Sequence, residues 1–277
     1  VCSFPFRAMN DENQKLSEKG LANLAIDPDL LARELAAQLA GDPLDEIELD
    51  KIGVDQGNSL KECDLALEWL QSGSEERLKG LRVFCEHRDP RALPFLLPLL
   101  DEPSPVIRMS AVYALGRNPC PKALELLLHL LRFDSNAYVR KATAWSLGNY
   151  PDASVLEPLI NALKRDVAAV RLWASSSLAE VGLNSTECSP LAATQLLENL
   201  QVDGESIVRS NCIWSLGRLY GLLSADIQIQ IEETFISVLL TDREPSVRYE
   251  ARTALEQLDN LEVQKKLKSL IDDGQLA

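Results

Sequence analysis

Histidine is nearly missing from this chain: His87 and His129 are the only two in 277 residues. With so few imidazoles there is no paired-histidine metal centre and no arrangement for a histidine-activated nucleophile. His129 lies inside LLLHLLRF and reads as an ordinary helix residue. His87 follows Cys85 in FCEHRDPRALP, and this Cys-x-His pair supplies two ligands at most where a structural zinc takes four. Cys85 and His87 are thus the nearest thing to a metal site, and no metal or other cofactor is expected. The six cysteines include no CxxC pair and are too dilute for a disulfide scaffold, so they read as free thiols of a reducing cytoplasm. A phosphate-binding loop, a dinucleotide fingerprint and a Gly-x-Ser-x-Gly elbow are all missing. Autonomous catalysis is therefore not expected.

Long apolar runs are also lacking: none approaches the roughly 18 to 20 residues that cross a bilayer. The opening VCSFPFRAMN does not follow the basic-then-apolar order of a secretion signal, and Met9 is a candidate start alongside Val1. Positive charge is scarce too. The formal net charge is −14, a field that repels nucleic acid and anionic membranes. Aromatics make up only 5%, while Leu and Ala are abundant, a composition that favours helix.

What is present is a repeat. An arginine marks each copy: Arg108 in SPVIRMSAVYALG, Arg140 in NAYVRKATAWSLG and Arg171 in AAVRLWASSSLAEVG, then Arg209 in ESIVRSNCIWSLG and Arg248 in PSVRYEARTALEQL. Successive intervals are 32, 31, 38 and 39 residues, and Arg77 stands 31 before Arg108 as a degenerate first copy. An Asp precedes each arginine by five to seven residues (Asp101, Asp134, Asp166, Asp203, Asp242), and an apolar stretch such as ALPFLLPLL or ALELLLHLL precedes the Asp. Each unit reads as helix A, a turn carrying Asp, then helix B beginning near Val-Arg. Gly116, Gly148 and Gly217 lie at the end of helix B, where glycine is best tolerated. One such pair cannot bury its apolar faces alone, but stacked pairs can. The expected fold is all-α: a solenoid of about six helix pairs, wound as a right-handed superhelix with a concave groove. Residues 61–260 carry the repeats and residues 261–277 a capping helix. Residues 1–60 form an acidic arm with one amphipathic helix at DPDLLARELAAQLAG.

Counting from the arginine as zero separates the faces of helix B. Offsets three (Ala111, Thr143, Ala174, Cys212, Ala251) and seven (Leu115, Leu147, Leu178, Leu216, Leu255) form the core stripe. Offset five, about 160° from offset seven at roughly 100° per residue, carries Tyr113, Trp145 and Trp214. Offset nine carries Arg117 and Arg218 on the same side. With Lys141, these residues are the candidate binding groove, because aromatics and arginines are the usual interface anchors. The bland alternative is that the aromatics fill gaps between B helices.

These units resemble the HEAT-repeat family in its short Asp…Val-Arg…Ala-Leu-Gly variety. That resemblance implies that Arg108, Arg140, Arg171, Arg209 and Arg248 form a structural ladder from unit to unit. Deoxyhypusine hydroxylase, an enzyme on such a scaffold, uses His-Glu dipeptides for iron, and this chain has none. The Trp variant ATAWSLG looks like the bilin-lyase HEAT-like repeats of cyanobacteria. By that likeness the groove would hold phycocyanobilin transiently for a phycobiliprotein subunit, as one subunit of a phycobilin lyase. The chain as a whole, including NDENQ, GNSLKECDLALEWL and LKGLRVFCEHRDPRA, resembles a cyanobacterial HEAT-repeat partner of an A-type iron–sulfur carrier. That likeness implies a non-catalytic scaffold that grips a protein. It is placed first because the lyases act as two-chain complexes and no sequence feature marks a surface for a second such chain.

Overall fold

The computed structural model describes residues 56–273, apart from positions 151 and 259. The acidic arm expected over residues 1–60, with its helix, lies up to position 55 outside the described residues. Among the described residues there are thirteen α-helices, a few 3-10 turns and no strand. They stack as six pairs. The first three are α1 (Gln56–Leu70) with α2 (Ser74–Glu86), α3 (Leu93–Leu96) with α4 (Pro105–Arg117), and α5 (Pro121–Phe133) with α6 (Ala137–Leu147). Next come α7 (Leu156–Arg165) with α8 (Ala168–Asn184), α9 (Ser189–Val202) with α10 (Ser206–Leu219), and α11 (Ala225–Thr241) with α12 (Pro245–Gln257). A last helix, α13 (Leu261–Asp272), buries Val263 and Leu267. This is the α-solenoid that the repeat implied.

The core stripe explains the stacking. All ten residues at offsets three and seven are fully buried, from Ala111 and Leu115 to Ala251 and Leu255. Helix A of the second unit departs from its expected form. The stretch ALPFLLPLL breaks into a 3-10 turn at Pro90–Ala92, the single turn α3, and a second 3-10 segment at Leu97–Asp101. Pro94 and Pro98 each lack the N–H that a continuous helix would need there.

The marker arginines join consecutive units. Arg108, Arg140, Arg171 and Arg209 each lie across their own A–B turn and fork onto the aspartate of the next. Arg108 Nε and Nη2 donate to Asp134 at 2.8 and 2.9 Å, while its Nη1 donates to the Glu102 carbonyl. Arg140 meets Asp166 at 2.8 Å, Arg171 meets Asp203 at 2.7 Å, and Arg209 meets Asp242 at 2.8 Å, each through two nitrogens. The aspartates also accept from their own turns, as Asp134 does from Asn136 N–H and Asp242 from Glu244 N–H. The first rung is Arg77 to Glu102 at 2.9 Å. The carboxylate of the second unit is therefore Glu102, six residues before Arg108, and Asp101 stays exposed. Arg248, in the last pair, donates to the Asp242 carbonyl.

The B helices also approach one another closely. A Cβ on Gly116 would lie 2.4 Å from the Trp145 ring, and one on Gly148 would lie 2.6 Å from Ser177 Oγ. Gly148 has φ −61°, so its backbone does not require glycine. At Gly116 and Gly148 the need is for space between helices, and there it replaces the helix-end explanation, whereas a Cβ on Gly217 would meet nothing within 4 Å. Ser177 Oγ donates to the Ala144 carbonyl at 2.7 Å, and Asn211 Nδ2 to the Leu172 carbonyl at 3.0 Å, so polar side chains bridge neighbouring B helices. The A helices stand further apart, leaving an open groove of about 1060 Å³ between α9 and α11. Tight spacing on one layer and loose spacing on the other curves the stack, with the B helices inside.

Two outcomes follow. Asp242→Ala leaves the Arg209 side chain, only 6% exposed, without its counter-charge. The cost should be about 3–5 kcal/mol, seen in urea unfolding and as faster amide exchange over α11–α13. The wild type should also show acid sensitivity of fixed sign. Burial pushes the Asp203 carboxyl up, but hydrogen bonds from Arg171, Glu205 N–H and Asn199 outweigh it. The net position is below the ordinary value, and the Arg209 hydrogen bond holds Asp242 low as well. Such groups contribute fully above the unfolded value of about 3.9 and lose their contribution as pH falls through the lower folded value. The melting temperature should thus be flat in this respect near pH 6 and fall below about pH 4.

Candidate functional site: the concave helix face

On α6 and α10 the residues at offsets −2, +1, +5 and +9 from the marker arginine, all within one side of the helix, stay at least partly open. On α6 they are Tyr138, Lys141, Trp145 and Asn149; on α10 they are Ile207, Ser210, Trp214 and Arg218. Repetition lines these positions up along the inside of the curve. On the opposite side of α10, toward α9, the Cys212 thiol is fully buried, and burial pushes it up to about 12.

Four of the six expected groove residues have other duties. Tyr113 is a correction: it is 1% exposed and lies beneath the surface. Gly116 has no side chain, so the Trp145 ring settles into that space and meets Tyr113 edge-on, with centroids 5.4 Å apart and planes at 64°. Trp145 therefore covers Tyr113 and keeps only part of its ring for the groove. Arg117 Nε donates to the Glu86 carbonyl at 3.2 Å, tying α4 to the end of α2. Arg218 lies 4.8 Å above the Trp214 ring and pairs with Glu180 on α8. The result is a Glu–Arg–Trp clamp between two neighbouring units, with Trp214 still half open. Lys141 is half-buried on the same face.

Cys85 and His87 have separate partners. The Cys85 thiol is buried and donates to the Ser110 carbonyl at 3.7 Å, while His87 Nε2 stands 3.2 Å from Glu62. Among the described residues no cluster of three or more His, Cys, Asp or Glu is placed to hold a metal ion.

The sequence argument missed the most open apolar residues of this face. Tyr249 is 70% exposed, Ile207 42% and Tyr138 36%. They sit at offsets +1 and −2, one turn or two before the aromatic row. The same rotation of about 100° per residue that selected offset five would have found them.

Comparison with known proteins agrees with this architecture. A family profile described as HEAT repeats matches residues 64–148 and 124–217. A designed armadillo repeat protein in complex with the peptide (KR)4 is similar in structure, with a TM-score of 0.52 and 21% identity, over 70% of this chain and 98% of that one. Kap121p alone and Kap121p bound to Pho4p each have a TM-score of 0.55 and 16% identity, over 82% of this chain and 28% of theirs. A search of curated proteins finds no match. No helix among the described residues is long and apolar enough to cross a membrane.

The seating of Trp145 can be tested by a double-mutant cycle. Gly116→Ala should cost about 1–3 kcal/mol by overpacking. Gly217→Ala, where a Cβ meets nothing within 4 Å, should gain about 0.4–1 kcal/mol. In a Trp145→Ala background the Gly116→Ala cost should fall by more than half, as read from urea midpoints.

Proposed function

Since the chain belongs to the HEAT-repeat family, we propose that it is a non-catalytic scaffold that binds a partner protein along the concave face of its B helices. One observation carries this: a continuous face on which Tyr138, Ile207 and Tyr249 stay open beside Trp145 and Trp214, on a scaffold whose rungs are already paired. Aromatic side chains on a rigid support are the usual anchors of protein interfaces. The solved relatives bound to a peptide and to Pho4p lend support by fold alone.

The partner we favour is an A-type iron–sulfur carrier, on the whole-chain likeness described above. The competing reading makes the chain a phycobilin lyase subunit or a bilin-handling chaperone. It needs stacking from Tyr113, Trp145 and Trp214 and carboxylate pairing by Arg117 and Arg218. Tyr113 is buried, Arg218 pairs with Glu180, and Arg117 bonds the Glu86 carbonyl, which weighs toward the scaffold.

Calorimetric titration with a purified A-type carrier separates the two, alongside visible absorbance with phycocyanobilin. Binding of the carrier should weaken at least tenfold in Tyr249→Ala/Trp214→Ala with the fold intact, since hot-spot truncations cost about 2 kcal/mol or more. A sharpened bilin spectrum without carrier binding would overturn the reading.

A further inference from the structure

The last two B helices carry charges that are not balanced within the described residues. Residues 206–257 hold five arginines and no lysine or histidine. All five are engaged. Arg209 pairs with Asp242, Arg218 with Glu180 and Arg252 with Glu256, while Arg243 and Arg248 donate to the carbonyls of Gly204 and Asp242, each at 2.7 Å. Three carboxylates beside them are not. Glu205 and Glu244 stand immediately before α10 and α12, and Glu250 lies within α12; among the described residues none of these side chains finds a hydrogen bond or an ion pair.

Glu250 lies two residues past its marker arginine. One unit earlier that position is Asn211, whose amide crosses the seam to the Leu172 carbonyl and to the hydroxyls of Ser175 and Ser176. The position thus faces the preceding B helix, and α12 places a half-buried carboxylate there where α10 has an amide donor. Burial pushes this carboxyl above its ordinary value, and no cation offsets the effect. Beside it Tyr249 is 70% exposed, and on α10 Ile207 is 42% exposed.

We infer that this end of the concave face takes a basic, extended segment of the partner protein, one lysine or arginine lying with its stem on Tyr249 and its charge toward Glu250, and flanking cations reaching Glu205 and Glu244. A long cationic side chain suits such a surface, because its alkyl stem covers the open ring while its head pairs with the carboxylate. The dimensions agree. Neighbouring B helices stand about 8–10 Å apart, a distance that an extended chain crosses in about three residues. The net charge of −14 also draws a cationic segment toward the chain. Such docking rests on the concave face being a binding surface, and it specifies the chemistry of what binds there.

The test uses the full chain and two fluorescein-labelled octapeptides, one alternating lysine with alanine and one alternating glutamate with alanine, followed by anisotropy in low salt. The lysine peptide should bind and the glutamate peptide should not. Its affinity should fall about tenfold in Glu250→Gln, whose thermal melt reports its fold, and by no more than about twofold in Glu233→Gln, which removes the same charge from an exposed position on the outer helix α11. In the wild type, carbodiimide should join peptide lysines to Glu205, Glu244 or Glu250, a readout independent of any variant. Equal losses in the two variants, or cross-links spread over the outer helices, overturn the inference, since the attraction would then be general to an acidic chain. Failure of the lysine peptide to bind overturns it too, while the carrier titration still decides separately whether this face binds a protein. Peptide binding without carrier binding removes the carrier and leaves the basic segment standing.

Discussion

Everything in this molecule depends on one residue pair repeated along its length: an arginine at the start of helix B and an aspartate in the turn of the next unit. A solenoid has no single closed core, so each unit is stable only through its neighbours. The arginine answers two needs together. It satisfies carbonyls of its own A–B turn and places two parallel N–H donors on a carboxylate one unit on, as Arg209 does between Asp203, Gly204 and Asp242. The aspartate, in turn, closes its own turn by accepting a backbone N–H. Such pairs sit largely out of water, so their value lies in geometry and full satisfaction more than in Coulomb attraction. The first rung is the weakest in form: Arg77 makes one contact to Glu102, and its Nε is buried without a partner.

Curvature follows from a second constraint, the size of the residues between B helices. Gly116 and Gly148 let one helix settle against the next, and Ser177 and Asn211 bridge the narrow seam to backbone carbonyls. No comparable closeness holds the A helices. The inner layer is therefore compressed and the outer layer open, and the concave face becomes the surface on which repeated positions converge.

That convergence has a cost for binding chemistry. Close packing pulls Trp145 inward, where the preceding helix offers Gly116. Trp145 is partly spent on covering Tyr113, and Arg218 is partly spent on Glu180 and Trp214. The surface left for a partner shifts toward the start of the B helices, to Tyr138, Ile207 and Tyr249. Groove and scaffold are built from the same side chains, so stability and recognition are not separable here.

The sequence by itself determined the helix pairs, the core stripe and the recurring arginines, because all of these recur at fixed offsets and helical periodicity is local; that the arginines form a ladder was implied by the family resemblance. It also showed that Cys212 belongs to the core. It could not determine which carboxylate each arginine grips, since a rung spans 25 to 33 residues and joins different units. Nor could it separate buried from open residues on the inner face. Offset five is the same angle on every helix, yet Tyr113 is covered and Trp214 is half open, because exposure there is set by the neighbouring helix. Only the tertiary structure, by deciding how near that neighbour stands, divides one row of aromatics into packing and surface.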